Sequence, residues 1–268
     1  MVGLGAYGAL IEPQRLAVTS SRIASAGSTE HDPILRVAQI TDLHLQDLGG
    51  NVRRVTEALH EARPHLVVLT GDMIDRQDKV SELGAFLSLL PAAAIKLATL
   101  GNWEHWAHVD LDHLRAEYDR HSCRLLVNET AGFSFRGAGV FITGLDDSTA
   151  GVPRLDQALR GITSSRNHIL LAHSPAYRDT IVAQNRSDPV GGSYSFTCVL
   201  SGHTHGGQVA AFGFAPLRPP GSGKYVAGWY RDAEPHLYVS RGIGTSVLPV
   251  RFGATPELAL FDWRLSTG

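Results

Sequence analysis

The sequence predicts an α/β fold built from parallel βαβ units, and three observations carry that prediction. From Leu35 onward, apolar runs of strand length alternate with stretches of helical periodicity. The apolar runs are continuous rather than alternating, as expected of a sheet covered on both faces. Run after run ends in a residue that can bind a metal or carry a proton, which is where open α/β sheets keep their sites.

Residues 1–33 read as an N-terminal arm. Its start, MVGLGAYGALIEP, is mildly apolar and glycine-rich. It suits either an ordinary extension or the tail of a signal or anchor, although it has no basic region and no clear cleavage site. LAVTSSRIA then reads as a peripheral strand followed by a linker. Residues 34–268 read as one domain. LRVAQITD is a strand ending in Asp42. Val52, Val55, Leu59 and Ala62 give residues 51–62 the spacing of a helix. HLVVLTGD is a second buried strand, ending in Asp72. A helix over 77–90 stops at Pro91. AIKLATLGN is a third strand, ending in Asn102, and another helix covers 109–120.

The second half is richer in strands. GFSFRGAGVFITGL reads as a hairpin turning at Gly137–Gly139, followed by a short helix over 153–160. HILLAH ends in His173, and TCVLSGHTH ends in His203 and His205. HLYVSRG and ELALFDW are the last strands. Residues 213–233 form the longest irregular stretch. Phe212, Phe214, Leu217, Trp229 and Tyr230 in or beside it suggest an apolar flap, or else an ordinary packed loop.

Composition narrows the class. The chain has 268 residues, a formal net charge of −2, 43% hydrophobic and 19% charged residues. That describes a globular domain with ample core, and bulk attraction to nucleic acid is not expected. No apolar stretch is long enough to span a bilayer. Cys123 and Cys198 have no ligand-type spacing and read as unpaired thiols. The 13 histidines are the compositional outlier, because several close apolar runs.

In chain order, the strand ends supply Asp42-x-His44, Gly71-Asp72-x-x-Asp75, Gly101-Asn102, His173, and Gly202-His203-x-His205. Each piece alone is weak, since a lone Asp caps helices and a lone His sits in loops. The ordered set is specific. Carboxylate, imidazole and amide donors together suit Mn²⁺, Fe or Zn²⁺.

This set resembles the calcineurin-like metallophosphoesterase superfamily over roughly residues 34–264. GALIEPQRLAVT, GHTHGGQV (202–209) and SRGIGTSVLPVRFG (240–253) are similar to a bacterial branch that includes membrane-associated phosphodiesterases like those of the lipid-A pathway. The resemblance implies a four-layered α/β/β/α sandwich and two divalent metal ions. It implies that Asp42, His44 and His205 hold the first ion, that Asn102, His173 and His203 hold the second, and that Asp72 bridges them. Two such ions activate water and neutralise the phosphoryl oxygens. Asp75 is implied as a supporting group beside the site.

One position departs from the pattern. Where the superfamily has a histidine after Gly-Asn, this chain has Trp103, in GNWEHW, with Glu104 keeping the acidic position. Three explanations stand open: His105 reaches the site and acts on the leaving group, the acid lies elsewhere, or a phosphate leaving group needs no proton. Arg241 and Arg251 are candidates for holding a substrate phosphate, or are ordinary structural arginines. The expected function is hydrolysis of phosphodiester or pyrophosphate bonds, on a substrate that the resemblance suggests is lipid-linked and at a membrane surface. The expected location is a bacterial cytoplasm or its membrane. The alternatives are a general phosphomonoesterase or nucleotide phosphodiesterase, and a metal-binding module that has lost catalysis.

Overall fold

In a computed structural model of the chain, which describes residues 7–162, 166–187, 195–209 and 218–268, the elements follow one another in this order: β1 (Ala17–Ala24), β2 (Ile34–Ile40), α1 (Gly50–Ala62), β3 (Leu66–Thr70), α2 (Val80–Ser88), β4 (Ile95–Thr99), α3 (Asn102–Trp106), α4 (Leu111–Arg120), β5 (Cys123–Leu125), β6 (Glu129–Phe135), β7 (Ala138–Gly144), α5 (Leu155–Ala158), β8 (His168–Leu171), α6 (Tyr177–Ser187), β9 (Cys198–Ser201), β10 (Gly228–Tyr230), β11 (Leu237–Val239) and β12 (Glu257–Arg264). They build two six-stranded sheets, ordered β1-β12-β2-β3-β4-β5 and β10-β11-β9-β8-β7-β6.

The layers follow from strand periodicity. In β2 and β3, Leu35, Val37, Leu66 and Val68 point to one side and meet Val140, Ile142, Ile169 and Leu200 of the other sheet. Their neighbours Ala38, Ile40, Val67 and Leu69 point the other way, onto Val55 and Leu59 of α1 and Phe86 of α2. The second sheet repeats the device, with Leu170, Val199 and Val239 packed under Leu155 of α5 and Ile181 of α6. The result is helix, sheet, sheet, helix. Every central strand is buried on both faces, which is why each is written as an unbroken apolar run.

The sheets are mixed rather than wholly parallel. β12 runs antiparallel to β2, β6 to β7 and β10 to β11, while β1 lies parallel on β12 as the edge strand. Four elements were not expected from the sequence. β5 and β10 have three residues each and α3 has five, too short for periodicity to register. In α6 only Arg178 and Ile181 are buried, so its apolar stripe is missing. Of the two readings open for residues 213–233, Trp229 fits the packed loop: it lies partly buried against Tyr238 and Phe261, at ring-centroid distances of 5.1 and 5.9 Å. Phe212, Phe214 and Leu217 lie outside the described residues. Both cysteines are free and buried, and burial pushes both thiols up. Among the described residues no helix is long and apolar enough to cross a membrane.

His168, at the start of β8, is a buried acid sensor of stability. It is 4% exposed, its Nε2 lies 2.7 Å from Thr143 Oγ1, and burial lowers its pKa to about 4. Because the unfolded chain takes up this proton first, folding stability holds above the ordinary histidine value and falls as pH drops toward 4. Urea unfolding at pH 7 and pH 5 should show a loss of about 2 kcal/mol from this residue. His168→Gln should remove that part of the pH dependence; an unchanged pH slope in the variant would contradict the assignment.

Candidate metal centre

Every strand that aims at the site delivers its ligand two to four residues beyond its end. Asp42 and His44 follow β2, Asp72 follows β3, Asn102 opens α3 after β4, His173 follows β8, and His203 and His205 follow β9. All seven are at most 5% exposed. The chain must turn sharply there, and five of the seven hold left-handed backbone: Asp42 (φ 50°), His44 (43°), Asp72 (54°), His203 (73°) and His205 (49°). That conformation costs L-residues roughly 1–2 kcal/mol each, and such strain persists where the surroundings over-determine it. The glycines between strand and ligand are there for space. A side-chain carbon on Gly71 would lie 2.7 Å from both Gly101 Cα and His173 Nδ1, and one on Gly101 would overlap Asp72 Oδ1.

The donor atoms converge in two adjoining groups. In the first, His44 Nε2 lies 3.1 Å from His205 Nε2, and His205 Nε2 lies 3.4 Å from Asp42 Oδ1. In the second, His203 Nδ1 is 2.7 Å from Asn102 Oδ1 and 3.3 Å from His173 Nε2. Asp72 Oδ2 stands between the groups, 3.1 Å from His173 Nε2 and 3.7 Å from His44 Nε2. The other Asp72 oxygen accepts from Trp103 N–H at 2.9 Å, so the carboxylate cannot rotate away.

The surrounding shell fixes which nitrogen of each ring faces inward. His173 Nδ1 donates to Thr70 O at 2.7 Å, leaving Nε2 as a lone pair toward the site. His203 Nε2 donates to Pro220 O at 2.6 Å, leaving Nδ1. Such outer bonds are what orient metal-binding imidazoles. Asp42 accepts from His203 N at 2.9 and 3.0 Å and from Thr41 Oγ1 at 2.8 Å.

Electrostatics favour the ligand form of Asp72, His203 and His205 and, without metal, the protonated form of Asp42 and His173. Burial raises the Asp42 carboxyl, with Asp72 adding to it. Burial also opposes charge on Asp72, but His173 and His44 outweigh it and hold this carboxyl below the usual range. Burial lowers His203 and His205, keeping them in the neutral form that binds metal. Burial disfavours charge on His173 too, yet Asp72 and Asp42 lift it well above the ordinary value. Buried acceptors and lone pairs facing one another at about 3 Å are a poor arrangement without cations and a good one around two of them. The donor set therefore fits a binuclear centre.

Asp75 lies beside the centre. Both its oxygens accept from Gln46 Nε2, at 3.0 and 3.1 Å, and Oδ2 is 4.0 Å from His44 Nδ1. His105, the candidate for the leaving group, is not among the residues lining the cavity over the centre and places Nε2 2.6 Å from Asp146 Oδ1. That bond raises the His105 pKa. Arg251 is fully buried and donates to Gly244 O and Ala254 O, so it is not free for substrate. Arg241 Nη2 lies 3.4 Å from Glu257, while its buried Nε has no hydrogen-bond partner among the described residues.

Sequence reasoning missed the part Glu104 plays. It is 2% exposed, and it accepts from the backbone N–H groups of Gly101 (2.9 Å), Asp72 (3.1 Å), Met73 (2.7 Å) and Ile74 (3.3 Å). One carboxylate thus ties the Asp72 turn to the start of α3. A glutamate at the third position of a helix that starts at Gly101 was the available signal. Burial and the charge of Asp72 push its pKa up to about 7.

Over Asp72, Asn102, His203 and His205 opens a cavity of about 420 Å³. Its walls are largely apolar: Trp103, Trp106, Val209, Val247 and Leu248, with Arg218 as the cation. Trp103 meets His44 edge-on at 5.7 Å and Trp106 at 5.7 Å.

Comparison with known proteins agrees with this geometry. The calcineurin-like phosphoesterase family model matches residues 35–207. The uncharacterised metallophosphoesterase YkuE of Bacillus subtilis is 30% identical, over 95% of this chain and 88% of its own length. The uncharacterised protein YpbG of the same organism is 27% identical over 84% of this chain and 79% of its own. Phosphodiesterase YaeI of Escherichia coli is 28% identical over 75% of this chain and 71% of its own.

Proposed function

The chain belongs to the calcineurin-like phosphoesterase family, and from that premise we propose that it hydrolyses phosphodiester or pyrophosphate bonds in a substrate with a lipid-like apolar arm, at a membrane surface. Asp42, His44 and His205 would hold one divalent ion, Asn102, His173 and His203 the other, with Asp72 shared. Mn²⁺, Fe or Zn²⁺ suit these donors. Bound there, the pair supplies Lewis-acid activation of water and neutralises charge on the phosphoryl oxygens. The chain's own groups do the rest. Glu104 and Trp103 N–H keep Asp72 in place, and Thr70 O and Pro220 O keep two imidazoles in the ligand tautomer.

The observation that supports an apolar arm is the cavity wall. Val247 is 87% exposed, Leu248 59%, Trp106 47% and Val209 42%, and all four line one opening above the centre. Exposed apolar patches of this kind mark surfaces that meet lipid or apolar ligands. The phosphodiesterase relative supports the bond class.

The test compares two substrates. The protein loaded with Mn²⁺ should hydrolyse bis-p-nitrophenyl phosphate and stop when EDTA is added. A diester or pyrophosphate with a long acyl arm should show a higher kcat/KM than its short-chain counterpart, and vesicles should compete. Equal kcat/KM for both chain lengths would remove the lipid reading, and no turnover with any of the three metals would remove the enzymatic one. Asp75→Asn should lower kcat/KM by about 10- to 100-fold, the usual effect of losing support behind a metal ligand. Thermal unfolding should show the fold intact; a variant with wild-type kcat/KM would rule that role out.

A further inference from the structure

We infer that Trp103 restricts the site to leaving groups that depart without a proton, which singles out a phosphate leaving group and so the phosphoanhydride bond; this deepens the phosphoesterase reading above and rests on it. The starting point is what the cavity offers a leaving oxygen. Among the described residues its titratable lining consists of Asp72, His203, His205 and Arg218. The first three belong to the metal-binding groups. The outward nitrogen of His203 is engaged with Pro220 O, and that of His205 lies 3.3 Å from Arg251 Nη2. Thr204, which also lines the cavity, donates its hydroxyl to Val226 O. The further histidine on α3, His105, is bound to Asp146 and does not line the cavity.

At the wall beside the centre stands Trp103, an indole that neither gives nor takes a proton near neutral pH. Its partner Trp106 extends the same surface. Together they offer an apolar face rather than an acid. The reaction must then run as follows. A water oxygen bonds to phosphorus, one water proton passes to solvent, and the other stays on the new phosphate. The phosphorus–oxygen bond to the leaving group breaks, and that oxygen leaves with the electron pair as an anion. An alkoxide is a poor group for this step. A phosphate is a good one, and the Arg218 guanidinium suits it as an anion partner.

The experiment measures kcat/KM for the Mn²⁺-loaded protein on methyl aryl phosphates with phenols of increasing acidity, a dialkyl phosphate, and a pyrophosphate diester. Wild type should show a steep rise with leaving-group acidity, no measurable turnover of the dialkyl ester, and cleavage of the pyrophosphate. Trp103→His should raise the ratio of poorest to best aryl leaving group by about 10²-fold, the lower end of what a positioned acid contributes. It should also acquire a fall in kcat/KM on the alkaline side of its new imidazole. Trp103→Phe, which keeps an aromatic face, should keep the steep slope. Metal content is measured in each variant, so that a lost ion is not mistaken for a changed slope. A shallow slope in wild type, or a Trp103→His slope equal to wild type with both metals present, overturns the inference and leaves the phosphoesterase reading standing. Absence of turnover across the whole series overturns that reading and the inference together.

Discussion

Asp72→Asn is expected to lower kcat/KM by about 10³-fold or more and to destabilise the metal-free protein as well. The catalytic half follows from the position of Oδ2 between His173 Nε2 and His44 Nε2, with Oδ1 held by Trp103 N–H. Asparagine has one oxygen for these two tasks. Whichever way it turns, either Trp103 N–H faces an amide NH₂ or the metal-facing position does. The negative charge that both ions share is also gone, and metal-borne charge stabilisation is worth several kcal/mol in the transition state. The stability half has the same sign. Without metals, the repulsion of Asp72 on Asp42 and Glu104 is outweighed by His173 and His44, which hold its carboxyl below the usual range. Removing the charge leaves His173 without its partner at 3.1 Å, a loss of up to about 3–5 kcal/mol. Urea unfolding in EDTA and steady-state kinetics in Mn²⁺ measure the two halves. A variant that keeps its activity, or one that is as stable as wild type in EDTA, contradicts this role for Asp72.

Glu104→Ala should have the largest effect on the fold around the site. Four buried amides, those of Gly101, Asp72, Met73 and Ile74, lose their acceptor at once. Each orphaned buried donor costs roughly 1–3 kcal/mol, and the costs do not simply add. A loss of about 4 kcal/mol or more is expected, with metal binding weakened because the Asp72 turn is no longer tied to α3. Glu104→Gln keeps the volume and one acceptor oxygen, so it should fall between wild type and alanine in both measurements. Chemical unfolding and metal titration check this. Equal stability of the alanine variant and wild type would show that water satisfies the amides instead.

How much of this was legible in the sequence differs from part to part. Asp42, Asp72, Asn102, His173 and His203 could be picked out because a strand buried on both faces is an unbroken apolar run, and the first polar residues after it stand out. The βαβ rhythm through β4 was legible for the same reason. The pairing of β12 with β2, and of β1 with β12, was not. It joins residues more than two hundred positions apart, and nothing local encodes it. α6 escaped because its buried face carries Arg178, which donates to Pro235 O and to the Tyr225 hydroxyl, where a periodicity argument looks for an apolar side chain.

At the site itself, residue types were legible and directions were not. His105 looked available because it stands near Asn102 in sequence, but the helical turn of α3 sends it to Asp146 and brings Trp103 and Trp106 to the cavity instead. Glu104 kept only the acidic position of the pattern and is a backbone clamp. Arg251 was open between a phosphate ligand and a structural arginine, and it is fully buried, bound to Gly244 O and Ala254 O. In each case the missing information was which face of a short element turns toward the site. That is decided by packing at the strand ends rather than by spacing.

The central claim is that seven buried side chains hold two metal ions that share Asp72. Anomalous diffraction from crystals of the Mn²⁺-loaded protein tests it most directly. Two peaks are predicted about 3.5–4 Å apart, one against Asp42, His44 and His205, the other against Asn102, His173 and His203, with Asp72 Oδ2 between them. A single peak, or two peaks that do not share Asp72, would contradict it.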